Sequence, residues 1–274
     1  MKNKIGLLPI AVLSILLGTA LGVHAHTLLI GGTGSAEPLM KRLFDDFRKQ
    51  SPQDSLKVIN PSLGSAGGIR ALSTGKIDLA ISARPLKEDE KAALGPHFEL
   101  CSTPFVVVTN GGKFHNGFSV DELASVYEGQ LQKWDDGTLI RLVLRTRDDA
   151  DSVQLKMMAP SMEKAVTAAD LRQGMVYGKD DLDTLELLSR TPGSLGPTSL
   201  GLLRTIASEL TVIPLNSQMP SVLSMNDGKY PWRKTLTVIL PAKPSRVAMK
   251  FADFLRSDQA DEIMRRYEYW PGHP

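Results

Sequence analysis

Three serines stand at turns where a predicted strand passes into a predicted helix: Ser35, Ser65 and Ser152. The first amides of a helix have no partners within the helix, and the helix dipole favours a negative charge beside them. A serine hydroxyl can add one more hydrogen bond, and the glycines before Ser35 let the backbone approach a ligand closely. Each serine alone is more simply explained as a helix cap. Together, the three turns predict a set of donors for an oxyanion.

Two arginines at the ends of predicted strands could add positive charge to such a site. Arg145 ends a strand seven residues before Ser152, and its forked guanidinium is suited to bind an oxyanion through two parallel hydrogen bonds. Arg84 also follows a strand, where it could face the same site or form a salt bridge. For Arg147 a surface pair with Asp148, Asp149 or Asp151 is the favoured interpretation. The acidic residues that follow would repel a bound anion unless they point outward or hold the arginines in place: Asp148, Asp149 and Asp151.

The elements that position these residues alternate between strands and helices. Residues 27–30 are predicted as a strand, and apolar residues at 39–47 recur at helical spacing. A second strand at 56–59 precedes a glycine-rich turn at 64–68 and a short helix at 69–74. Strands that alternate with helices are typical of a parallel α/β sheet.

A second α/β unit is predicted after a glycine-containing linker. An apolar strand at 105–109 precedes that linker. Ser119 and Glu122 have the spacing of a capping box, and Gly129 is placed to end the helix that they begin. Near the end of the chain a further strand is predicted at 236–240, followed by an amphipathic helix. The chain is therefore expected to form two lobes.

Composition excludes several classes of site. The chain has 274 residues, 42% hydrophobic and 23% charged, which suits a folded core and not a disordered or collagen-like chain. The one cysteine, Cys101, excludes an internal disulfide and is expected to be a buried, unreactive thiol. The five histidines are scattered, and a net charge of +2 gives no basic footprint for nucleic acid. We expect no cofactor, no bound metal and no nucleic-acid partner.

The first 25 residues have the pattern of a cleaved secretory leader. Lys2 and Lys4 precede an uncharged stretch at 5–23, and cleavage is expected near Ala25. A transmembrane anchor is the alternative, although proline and glycine interrupt a stretch barely long enough to span a bilayer. Cleavage leaves 30 basic and 30 acidic residues, so any affinity for anions would have to be local. The mature protein is predicted to be soluble and periplasmic.

The order of these segments resembles that of a known family. The segments are 32–35, 64–69, 77–86, 121–144 with Arg145 after it, 191–196 and 230–270. They resemble the phosphate-binding receptors of ABC transporters, which have the type II periplasmic binding protein fold. The resemblance covers nearly the whole mature chain. Two positions depart from the family: Ala83 replaces an aspartate, and Asp151-Ser152-Val153 replaces Ser-Gly-Thr.

The resemblance implies an α/β fold of two lobes with mainly parallel sheets and hinge strands that cross between them. Lobe one would comprise residues 26–109 and 231–274, and lobe two residues 110–230. A monomeric protein would enclose phosphate or a related oxyanion between the lobes and present it to an ABC permease, with no bond made or broken. The predicted ligand-binding residues are Gly34, Ser35, Ala36, Ser65, Ala66, Gly67, Arg84, Arg145 and Ser152.

Two other functions remain open from the sequence. The protein could be an extracytoplasmic anion sensor or adaptor that contacts a membrane signalling partner. It could also be a phosphatase-like hydrolase, which requires a nucleophile with a base or a metal cluster. No histidine lies near Ser35, Ser65 or Ser152 in the sequence, so hydrolysis is the less favoured alternative.

Overall fold

The computed structural model describes residues 25–272, so only Ala25 of the predicted leader lies inside the described residues. Among residues 25–272 no helix is both long enough and apolar enough to cross a bilayer. The strands are β1 Thr27–Gly32, β2 Ser55–Val58, β3 Leu79–Ser82, β4 His97–Thr109, β5 Arg141–Arg145, β6 Val176–Gly178, β7 Ser194–Ser199, β8 Thr211–Ile213, β9 Arg233–Ile239 and β10 Trp270–Pro271. The helices are α1 Glu37–Phe47, α2 Gly64–Ser73, α3 Glu88–Ala93, α4 Val120–Glu128, α5 Ala150–Met157, α6 Pro160–Leu171, α7 Asp181–Arg190, α8 Leu200–Thr205, α9 Val222–Asn226, α10 Arg246–Phe254 and α11 Asp258–Arg266.

Strands β4 and β9 lie at the centre of the sheet and join its two halves. The strand order is β2-β1-β3-β9-β4-β7-β5-β6. β1 is parallel to β2 and β3, and β5 is parallel to β6 and β7. β9 is antiparallel to β3 and β4, and the end of β4 is antiparallel to β7 and β8. The structure confirms two α/β halves joined by crossing strands, with parallel pairing in the outer strands and antiparallel pairing at the centre.

Each half of the sheet has a large apolar core of its own. The first core is built from residues of 28–101 and 236–269, and the second from residues of 105–215 together with Tyr230. The proposed boundaries of lobe one and lobe two, at residues 109/110 and 230/231, stay a prediction; Phe105 and Val107 already pack in the second core. Cys101 is buried in the first core, and burial raises the pKa of its thiol well above the usual value.

Two elements differ from the sequence-based expectation because long-range pairing extends them. β4 begins at His97 rather than near residue 105, since its first half pairs with β9. The segment 191–196, which was predicted as a turn, runs into β7 from Ser194 onward, where it pairs with β5 and β4. Both bounds depend on pairing with strands that are distant in the sequence. The local residue types do not indicate such pairing, which explains both differences.

Candidate functional site

The first predicted anion loop is a 3₁₀ turn between β1 and α1. Gly32 has a φ of +131°, and a Cβ there would lie 2.0 Å from the backbone oxygen of Ile81, so only glycine fits. The Thr33 N–H donates to that same oxygen at 2.9 Å. Ser35 was expected to cap the helix but lies inside the turn, where its hydroxyl shares a 2.9 Å hydrogen bond with the Thr33 hydroxyl. The turn buries all three of its residues: Gly34, Ser35 and Ala36.

The second predicted loop, residues 64–68, is the first part of helix α2 rather than a turn before it. Close packing explains why a glycine-rich segment is helical here. A Cβ added to Gly68 would lie 2.5 Å from the Cα of Gly32, so α2 lies directly against the end of β1. This tertiary contact overrides the poor helix propensity of glycine. The two glycine-rich segments are therefore neighbours in space.

Ser65 connects α2 with the segment that follows β3. It is buried, and its Oγ accepts a 2.9 Å hydrogen bond from the Ala83 N–H. Accepting that bond uses an oxygen lone pair, so the hydroxyl hydrogen can be donated to another acceptor. Ala66 and Gly67 follow Ser65 in α2.

Gly68→Ala is expected to destabilise the protein by about 1–3 kcal/mol, because its Cβ would clash with the backbone of Gly32. Gly67→Ala is the matched control, since a Cβ there would meet only the Cβ of Leu63, at 3.1 Å, and no backbone of another element. The control should lose less stability than Gly68→Ala, because the contact is less close and alanine favours a helix. Urea denaturation followed by circular dichroism measures both variants. If Gly68→Ala unfolded at the same urea concentration as the wild type, the close packing of α2 on β1 would be contradicted.

Arg145 lies at the end of β5 with 3% of its surface exposed. Its Nε and Nη2 donate to the carboxylate of Asp149 at 3.1 and 2.6 Å, and its Nη1 donates to the Thr184 hydroxyl at 2.9 Å. Asp149 thus holds the arginine in place, which is one of the two roles expected of the acidic residues here. The Ser152 hydroxyl donates to the backbone oxygen of Arg145 at 3.0 Å. These side-chain bonds use three of the five guanidinium N–H groups, so two are left for a further acceptor.

Lys234 is a buried cation that the sequence analysis did not identify. It lies on β9 with 3% of its surface exposed, forms an ion pair with Asp151, and donates to Oδ1 of Asp181 at 3.0 Å. β9 alternates between exposed and buried residues and places Lys234 on the same inward face as Leu236. That alternation was the available signal, but the strand was expected to begin only at residue 236.

Asp181, the first residue of α7, was also missed, and it lies at the centre of the site. Its Oδ2 lies 3.6 Å from Nη2 of Arg145, while its Oδ1 faces Lys234. A Cβ added to Gly34 would lie 3.1 Å from the same Oδ2, so the carboxylate also sits beside the 3₁₀ turn. Residues from both lobes therefore meet at one buried point. We call the five charged residues the charge cluster: Arg145, Lys234, Asp149, Asp151 and Asp181.

Burial and neighbouring charges shift two pKa values of the charge cluster in opposite directions. Burial by itself raises the pKa of Asp181, but the charges of Lys234 and Arg145 outweigh it, so that pKa is lowered. Burial raises the pKa of Asp151 to about 6, although Lys234 opposes the rise. Of these two buried carboxylates, Asp181 is the one that stays ionised at lower pH.

Arg84 and Arg147, the other two arginines considered from the sequence, pair with acidic residues outside the charge cluster. Arg84 donates to the carboxylate of Glu90 at 2.8 and 2.6 Å, and this hydrogen bonding lowers the pKa of Glu90 to about 2. Its possible role in ligand binding stays a prediction. The Arg147 side chain is 64% exposed, with its Nε 3.9 Å from a carboxylate oxygen of Asp170.

The arrangement brings together groups that bind anions. Within residues 25–272, no group of three or more histidine, cysteine, aspartate or glutamate side chains is placed to hold a metal. The Asp181 carboxylate lies between the buried cations Arg145 and Lys234 on one side and the glycine turn at Gly34 on the other. Buried cations and backbone donors attract an anion strongly where water is excluded.

The chain resembles known proteins in sequence and in fold. Residues 19–259 match the model of a PBP superfamily domain. The chain is 23% identical over 242 residues to the phosphate-binding protein PstS of Borreliella burgdorferi, a match that covers 86% of each protein. It is also similar to the structure of a putative phosphate ABC transporter substrate-binding protein with bound phosphate from Clostridium perfringens, with a TM-score of 0.75, 16% identity, and coverage of 89% of this chain and 99% of that one.

A second solved structure is also similar to this chain in fold. The ABC-type phosphate transport receptor from Vibrio cholerae matches with a TM-score of 0.62 and 19% identity, over 90% of this chain and all of that one. At these identities the structural likeness concerns the fold, which is the two-lobed type II periplasmic binding protein fold. Because the family model matches most of the chain, this protein belongs to the PBP superfamily.

Proposed function

We propose that the protein is a periplasmic solute-binding protein that captures phosphate or a related oxyanion between its lobes and presents it to an ABC permease. The observation that carries the proposal is that Arg145, Lys234 and the glycine turn at Gly34 meet around one buried point, which the Asp181 carboxylate occupies. The names of its relatives, a phosphate-binding protein and a phosphate transport receptor, support the choice of ligand. Secretion through the predicted leader and a monomeric state are parts of the same proposal.

Two buried cations can bind an oxyanion at this point. Arg145 is contributed by lobe two and Lys234 by lobe one, so an anion between them stabilises the closed arrangement of the lobes. Both cations are almost fully buried, and a charge–charge contact is much stronger there than in water. An oxyanion also has several lone pairs, which the guanidinium edge, the ammonium group and the backbone N–H groups of the turn can satisfy together.

The three candidate serines have the hydrogen-bond partners of binding residues rather than of nucleophiles. Ser35 shares its bond with the Thr33 hydroxyl, Ser65 accepts from a backbone N–H, and Ser152 donates to a backbone oxygen. A nucleophilic serine needs a base such as histidine within hydrogen-bond distance. These contacts favour capture without chemistry over the phosphatase alternative.

The proposal predicts saturable binding of phosphate by the mature protein, residues 26–274. Isothermal titration calorimetry should give one phosphate per chain, and phosphate should raise the Tm in a thermal-shift assay, because a ligand that binds only the folded state stabilises it. Sulfate, arsenate and molybdate, titrated in the same way, define which oxyanion is preferred. The absence of heat and of any Tm shift with all four anions at millimolar concentration would refute capture of a small oxyanion.

A further inference from the structure

We infer that Asp181 is an internal ligand of this site: its carboxylate occupies the oxyanion position, and an external oxyanion binds by taking its place. The identity of that external anion as phosphate rests on the proposed function, whereas the role of Asp181 rests on the geometry of the charge cluster. Asp181 would then be the residue that sets how tightly an external anion is held.

The contacts of Asp181 are those expected of a bound oxyanion. One carboxylate oxygen accepts from the Lys234 ammonium at 3.0 Å, and the other lies 3.6 Å from the guanidinium of Arg145. The second oxygen also lies beside Gly34, because a Cβ added to Gly34 would be 3.1 Å from it. The carboxylate therefore contacts both cations and the glycine turn at once, with the whole residue 5% exposed.

The charge cluster has one carboxylate more than its two cations can neutralise. Asp149 is bound to Arg145 by two hydrogen bonds, and Asp151 forms an ion pair with Lys234, so these four charges already neutralise one another in pairs. Asp181 adds a third carboxylate to two cations. An unbalanced buried charge is costly, so one carboxylate of the cluster is more than neutralising the cations requires. Of the three carboxylates, Asp181 is the one that also lies beside the glycine turn, which is where an oxyanion would be bound.

Because the charge cluster already has one negative charge in excess, an external oxyanion must replace the Asp181 carboxylate rather than bind beside it. The charged groups that face this point are Asp181 on α7, Asp151 on α5, Asp149 at the N-cap of α5, Arg145 on β5 and Lys234 on β9. A phosphate placed beside an ionised Asp181 would bring like charges into contact where water is excluded. A phosphate that replaces its carboxylate would meet the same cations and donors without that repulsion.

The neighbouring residue Asp180 links α7 with lobe one at the same place. Its Oδ2 accepts a 3.2 Å hydrogen bond from the Ser62 N–H, and it is the N-cap of α7. Because the start of α7 belongs to lobe two and Gly34 to lobe one, separation of the lobes would withdraw the Asp181 carboxylate from the turn. Lobe opening therefore provides a route by which the internal ligand leaves and the external one enters.

The test compares Asp181→Asn with Asp183→Asn. Asparagine keeps the shape of Asp181 but removes the charge, so phosphate should bind about tenfold or more tightly than to the wild type, a change measured by calorimetry. Asp183 lies two residues further along α7, where it accepts from the Lys179 N–H and caps the turn without facing the two buried cations. Asp183→Asn removes the same charge from the same helix and should leave the affinity within about twofold of the wild type. If the wild type binds phosphate, equal or weaker binding by Asp181→Asn overturns the inference.

A second measurement separates the inference from the proposed function. In Asp181→Ala the carboxylate position is empty, so formate should fill it and raise the Tm of this variant but not that of Asp183→Ala. Stabilisation by formate without phosphate binding by any variant would support the internal ligand and refute phosphate capture. Phosphate binding by the wild type, with no tighter binding by Asp181→Asn and no effect of formate, would support phosphate capture and refute the internal ligand. If Asp181→Ala does not fold, the phosphate titration of Asp181→Asn decides.

Discussion

Lys234→Met is expected to destabilise the protein by about 3–5 kcal/mol, the cost of removing one partner from a buried ion pair. Methionine matches the length of the lysine stem, so packing on the inward face of β9 is largely kept and the loss is electrostatic. The variant would leave Asp151 and Asp181 buried without the ammonium that contacts both of them. Their charges also raise the pKa of Lys234 although burial opposes it, which indicates how strongly the ammonium is held.

Urea denaturation monitored by tryptophan fluorescence measures this loss, with Lys229→Met as the matched control. The Lys229 side chain is 67% exposed, with its Nζ 4.0 Å from an aspartate, so its replacement should change the unfolding free energy by less than about 0.5 kcal/mol. The deficit of Lys234→Met should shrink in acid, because a buried carboxyl without its cation gains a proton more readily than in the unfolded chain. A wild-type midpoint for Lys234→Met would show that the ammonium and the carboxylates do not interact as the structure has them.

The sequence predicted the parts of the fold that depend on neighbouring residues. The capping box of α4 is present as expected, with Ser119 accepting from the Glu122 N–H and the Glu122 carboxylate accepting from the Ser119 N–H. Gly129 ends that helix with a φ of +79°. Each of these features is a contact among residues within one or two helical turns, so local residue types are sufficient to indicate it.

The centre of the site could not be predicted in this way. Lys234 and Asp181 are separated by 53 positions in the chain, and they meet only because the fold brings β9 next to the start of α7. Asp181 on its own resembles an ordinary acidic residue in the first turn of a helix, where it is favourable for the helix dipole. Residues 64–68 were expected to be a turn for a related reason: glycine propensity is local, whereas the contact of Gly68 with Gly32 that makes them helical is not.

Arg145→Ala is expected to weaken phosphate binding by about 1.5–3 kcal/mol, or roughly 10- to 150-fold, because it removes a charged hydrogen-bond partner from the site. It should also lower the unfolding free energy by about 3–5 kcal/mol, since Asp149 and Asp181 would lose the guanidinium that they face. The surplus of negative charge in the charge cluster would then rise from one to two. Both losses have the same cause, so they should appear together.

Arg147→Ala separates these effects from the simple loss of a positive charge near the end of β5. Arg147 lies two residues away and carries the same charge, but its side chain is largely exposed and its nearest acidic oxygen is 3.9 Å from Nε. Its removal should change the affinity for phosphate by less than about threefold and the stability by less than about 0.5 kcal/mol. Calorimetry is carried out at a temperature where circular dichroism shows both variants folded, so that weaker binding cannot be attributed to unfolding. If folded Arg145→Ala binds phosphate as tightly as Arg147→Ala does, the guanidinium serves only to hold the carboxylates, and the anion is bound by Lys234 and the glycine turn.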